Sequence, residues 1–147
     1  MAGTAWFPRS AYKRLSNCVF LGRLIDKARR KTSGLSMGEY MYGDNDYMDS
    51  RVLRFLGTAA AHVNALVRSE PGDEVVARML IERSRKSPKQ IASFSTRMLF
   101  AYSFAFAMFD ADEGRTSGVL ASVLAGFYNG VIYPPFAKKF RRDEARF

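Results

Sequence analysis

The 147-residue sequence has one cysteine and one histidine. A lone Cys18 cannot form an internal disulfide, and it excludes a cysteine zinc cluster. His62 stands in AAAHVNAL with no Cys, His or carboxylate at ligand spacing, so it reads as a helix residue. GxSxG, GxGxxG and a Walker lysine loop are all missing. Asp44-Asn45-Asp46 opens like a calcium loop, but Met48 and Phe55 stand where ligands belong. Asp110-Ala111-Asp112 fails the same test at Gly114 and Ala121. No metal or cofactor is therefore expected. No run alternates with period two for six residues, and there is no internal repeat. The opening MAGTAWFPRS lacks the basic-then-apolar layout of a secretory signal, so the expectation is a soluble, cytoplasmic protein.

What is present is helical pattern and positive charge. Lys and Arg number 23 against 14 Asp and Glu, a formal charge of +9. The spacing predicts an all-α fold, a compact bundle of five to seven helices. Residues 1–116 form the expected core, and 117–147 add an apolar helix and a basic tail packed on the same domain. Ser10 is read as the cap of a short helix to about Ser16, and Gly22–Ser33 as the next, closed by Gly34. Within that second helix Asp26 and Arg30 are spaced to pair. Asp49, Thr58 and Asp73 are read as caps of three further helices. Ser87-Pro88-Lys89-Gln90 combines a cap, a first-turn proline and a capping box, opening a long helix to about Phe109.

Residues 117–133 carry no charge but fall short of the roughly 20 apolar residues of a membrane span. They read as a buried helix or a homodimer face, and membrane association is not favoured.

The charge is concentrated. The first 36 residues hold eight bases and one acid; Met37–Ser50 hold four acids and no base. If the acidic, tyrosine-bearing loop folds back on the basic helix, arginines and lysines meet carboxylates and phenols. Such a set can hold a carboxylate or phosphate. The candidate ligand-binding residues are Arg23, Asp26, Lys27, Arg29, Glu39, Tyr40, Tyr42 and Asp49. In this reading Arg23, Lys27 and Arg29 supply positive charge, while Tyr40 and Tyr42 supply walls and hydroxyls. Asp26, Glu39 and Asp49 orient the arginines around an anionic small molecule or partner segment. An enzyme using Asp26 or Glu39 with a tyrosine is the alternative. A second basic cluster, Arg78, Arg83, Arg85, Lys86 and Lys89, falls at one helix–helix junction and makes nucleic acid a third, less favoured partner.

FPRSAYKRL, LGRLIDKARRKTSG, GEYMYGDNDYMDSRVLRFLG, SPKQIASFSTRML and FDADEGR together resemble the bacterial family domain of unknown function 5069, over roughly Trp6 to Arg115. The resemblance implies a small helical protein and carries no activity with it. It points to Arg9 and Ser10, to Arg23, Asp26, Lys27 and Arg29, to Glu39, Tyr40 and Tyr42, and to Asp49. Gly22 departs from the family's usual proline, Asn17-Cys18 from a glycine pair, and Phe94 from tryptophan.

Overall fold

The structure, a computed structural model, describes residues 5–115. The order is β1 (Arg14–Leu15), β2 (Cys18–Val19), α1 (Leu21–Thr32), α2 (Tyr47–Phe55), α3 (Ala60–Ser69), α4 (Asp73–Ser84) and α5 (Pro88–Asp112). Among the described residues the fold is all-α apart from one small antiparallel hairpin. That hairpin stands where a short helix was expected. Ser16 and Asn17 both take positive φ, 45° and 62°, the conformation a two-residue hairpin turn demands. Its turn is tied down from both sides. Glu74 accepts from the Ser16 backbone and hydroxyl, while Ser95 Oγ accepts from Val19 N and donates to Asn17 O.

The helices expected between Gly22 and about Phe109 form, with shifted caps. Asp46, not Asp49, caps α2 by accepting from Asp49 N at 2.9 Å. The α3 cap position is Ala59 rather than Thr58, and Asp44 Oδ1 reaches across to accept from Ala60 N at 3.2 Å. Gly72 precedes α4, which frees the Asp73 carboxylate for other partners. The Ser87–Gln90 capping box forms in both directions, at 3.2 and 2.8 Å.

The chain divides into two compact units at residues 101/102, each with its own packing. In the first, α1 packs on α3 and α4 through Leu21, Leu24, Ile25 and Ala28, all fully buried. Burying a leucine or isoleucine side chain stabilises by roughly 1.5–3 kcal/mol. Phe55 of α2 stacks on Phe94 of α5, centroids 4.0 Å apart and planes within 4°. In the second unit, Phe106 is buried beside Phe109, and Arg115 pairs with Glu113 and lies 3.8 Å from Asp110. The expected 118–133 helix, the dimer face and the basic tail lie outside the described residues.

Candidate functional site on α1 and the 35–49 loop

Helix α1 presents charge along most of its length, and the partners of that charge come from distant parts of the first unit. Lys27 is nearly buried, and its Nζ lies 2.5 Å from Asp49 Oδ1, 3.7 Å from Asp46 Oδ2 and 3.1 Å from the Met41 carbonyl that accepts from it. Asp49 is wholly buried, and its Oδ2 accepts from Gly43 N at 3.0 Å. The Lys27 approach to Oδ1 is close but not aligned as a hydrogen bond, so it acts as a charge contact. Burial pushes the Asp49 carboxyl up to about 6; Lys27 and the Gly43 amide oppose that rise, and Asp46 adds to it. Gly43 sits at φ 110°, which directs its N–H at Asp49 and folds the loop over α1.

Tyr42 belongs to the same wall. Its hydroxyl donates to Asn64 Oδ1 at 2.8 Å on α3. Burial, with Asp49 and Asp44 nearby, pushes its phenol upward, which keeps the hydroxyl protonated as a donor.

Asp26 and Arg29 serve a second cluster. Arg9 donates to Asp26 from its backbone N at 2.7 Å, from Nε at 2.9 Å and from Nη2 at 2.6 Å, and also bonds Asp73. The expected Asp26–Arg30 pair does not form, because Arg9 occupies both carboxylate oxygens. Gly22 makes this possible. A Cβ there would lie 2.6 Å from Arg9 Cδ, so glycine lets Arg9 lie across the first turn of α1. Arg29 donates to Asp73 Oδ1 at 2.5 Å, Val67 O at 3.0 Å and Glu70 O at 2.9 Å. Burial raises the Asp73 carboxyl, but Arg29 and Arg9 outweigh it and hold it below the ordinary range.

Arg23 and Tyr40 make a third cluster, at the outer side of the loop. Arg23 is buried, donates to Arg9 O at 3.2 Å and lies under the Tyr40 ring, 5.4 Å from its centroid. Trp6 meets Tyr40 edge-on at 5.8 Å, and the Arg30 guanidinium stacks over Trp6 at 5.2 Å. Arg30 Nε donates to Ser36 O at 2.8 Å, which fixes the guanidinium plane. Glu39 is exposed on the loop.

The eight candidate residues thus fall into three groups: Lys27, Tyr42 and Asp49; Asp26 and Arg29; Arg23 and Tyr40, with Glu39 exposed beside the last. Trp6, Asp46 and Asp73 join these groups without being among the eight candidates, and Arg30 meets Trp6 and the Ser36 carbonyl instead of Asp26. Trp6, the only tryptophan, was the one available signal for the third group. Among the described residues no three His, Cys, Asp or Glu side chains gather to hold a metal ion.

The chain belongs to the family domain of unknown function 5069, matched over residues 5–115. No curated protein and no solved structure matches it. The family match covers the hairpin, all five helices and each of the three groups, and residues 116–147 lie beyond it.

Proposed function

We propose that this member of the family is a binding module for an anionic ligand, a small molecule or partner segment bearing a carboxylate or phosphate beside an apolar group. The seat is the outer side of α1 and the 35–41 loop. The observation that carries the reading is the cation–aromatic series Arg30–Trp6–Tyr40–Arg23. A guanidinium stacked on an aromatic face keeps edge N–H groups for a carboxylate or phosphate, and Arg30 is the more accessible of the two cations. Apolar surface adjoins it in sequence: Phe7 is 41% exposed, Leu35 53% and Met41 63%.

In this assignment the remaining candidates support the seat. Lys27, Asp49 and Tyr42 hold the loop on the helix. Asp26 and Arg29 anchor α1 to the N-terminal segment and to α4. Arg23 props Tyr40 from below.

The test is a screen of carboxylates and phosphates by amide chemical-shift perturbation, followed by titration of R30A and W6A with whichever anion binds. The expected result is perturbation at Trp6, Arg30 and Leu35–Met41, with affinity at least about tenfold weaker in both variants, the scale of one charge-assisted contact. An anion bound equally well by wild type, R30A and W6A overturns the assignment.

A further inference from the structure

The α4–α5 connection carries positive charge that the fold does not consume. Helix α4 ends at Ser84, and Arg85 follows at φ 57°. The turn is held by its own polar groups: Ser84 Oγ donates to Ile81 O and accepts from Lys86 N, and Ser87 closes the capping box with Gln90. None of these bonds uses a cationic side chain. Arg83, Arg85 and Lys89 are exposed and Lys86 is half-buried. Among the described residues no carboxylate pairs with any of the four. Glu82 is the only acid between Arg78 and Gln90.

Packing adds a second element to this corner. Lys86 lies over the Phe55 ring at 5.2 Å, and Phe55 is fixed by its stack on Phe94. The last turn of α2, with Arg54 exposed next to Phe55, therefore borders the connection. Arg83 faces α3, where burial and its charge together hold His62 below its ordinary range.

We propose that this corner, Arg83, Arg85, Lys86 and Lys89 with Arg54 at its border, docks the phosphodiester backbone of a nucleic acid. Four cations against the single acid Glu82, none of them paired with a carboxylate among the described residues, are the electrostatic footprint of phosphate contact. A membrane surface or an acidic protein fits less well. On α4 and the connection Met79, one turn before Arg83, is the exposed large apolar side chain, and one such side chain is too little for a membrane insertion anchor. The surface reads repeated negative charge and carries no base-reading element.

The experiment is fluorescence anisotropy of the full chain with labelled RNA and DNA of one length, single-stranded and duplex, between about 50 and about 200 mM salt. The account expects binding that is indifferent to base sequence and weakens at least about tenfold across that range. R83A/R85A/K89A weakens binding at low salt at least about tenfold and lowers the salt slope by about one per cation removed. R83K/R85K stays within about threefold of wild type, because sequence-independent binding follows the number of phosphates neutralised, which Lys for Arg leaves unchanged. R30A leaves this binding unchanged, which separates the corner from the α1 seat. Preference among the four nucleic acids identifies the source of the backbone. No binding by the wild type overturns the proposal. So does an unaltered slope in the triple variant, or equal binding of poly-glutamate or of phosphatidylserine vesicles. Should the triple variant fail to fold, K89E alone is held to the same criterion on a milder scale, a loss of about threefold or more.

Discussion

Arg9, Lys27 and Arg29 each meet a carboxylate inside the fold, whereas Arg83, Arg85, Lys86 and Lys89 meet none among the described residues. Both groups look alike in sequence, as basic residues on or beside helices. The difference lies in what packs against them. Helix α1 is covered by α3, α4 and the loop that follows it, and desolvated cations there require acids and carbonyls. Among the described residues no carboxylate pairs with a cation of the α4–α5 connection. Arg9, Lys27 and Arg29 therefore maintain the architecture, whereas the four cations of the corner carry no carboxylate partner among the described residues.

That contrast predicts a graded response to mutation. The largest effect is expected from K27A or D49A, which strands a buried charge and costs about 3–5 kcal/mol in chemical denaturation. K27M/D49L, which removes both charges, recovers most of that loss. A cost under about 1 kcal/mol for either single variant contradicts a buried, structure-bearing pair.

Next comes R29A, which releases Asp73 and two backbone carbonyls. Hydrogen bonds to charged groups contribute about 1.5–3 kcal/mol, and the cluster is more than a quarter exposed, so a loss of about 2 kcal/mol is expected. R29K should recover little, since one ammonium cannot reproduce the fork on Asp73, Val67 and Glu70.

A pH dependence comes third. The folded Asp49 carboxyl titrates near 6, above its unfolded value of roughly 3.9, so the folded state holds the proton more tightly. Its contribution to stability is full below about pH 4 and is lost as pH rises through about 6. Asp73 acts in the opposite sense. Its carboxyl is held low in the fold, so its contribution is present above about pH 4 and disappears as pH falls below the folded value. Denaturation midpoints of wild type, D49N and D73N across pH 3–7 check both signs. D49N should flatten the loss between about pH 4 and 6, and D73N the loss at more acid pH.

The smallest stability effects are expected at the corner. R83A, R85A and K89A should each stay within about 0.5 kcal/mol of wild type, the range of exposed substitutions. Their consequence is on polyanion binding. A loss above about 1.5 kcal/mol at any of them would erase the distinction between the regions.

The legible part of the sequence is the part governed by neighbours in the chain. The capping box at Ser87 and Gln90 and the apolar stripe Leu21–Leu24–Ile25–Ala28 depend on residues within about one or two turns, and both appear as read. The errors arise where a distant partner decides. Asp49 looks like a cap because a helix begins near it; Lys27, 22 residues earlier, draws its carboxylate inward, and Asp46 takes the cap. Asp26 looks like a partner for Arg30, but Arg9 reaches it across 17 residues and supplies three donors. Ser10–Ser16 looks helical until the left-handed Ser16-Asn17 turn is seen, and its anchors lie on Glu74 and Ser95. The candidate residues stand out in the sequence because charge and phenol side chains mark them. Their division into three groups was invisible because composition does not record which cation meets which acid.

The most direct test of the division between committed and available charge is backbone amide chemical-shift mapping of the full chain with a short single-stranded oligonucleotide as titrant. The account predicts salt-sensitive perturbations at Arg83–Lys89 and Arg54–Phe55, with the amides of Lys27, Arg29 and Asp49 unmoved. Perturbations centred on Lys27 and Arg29, with the corner silent, would contradict it.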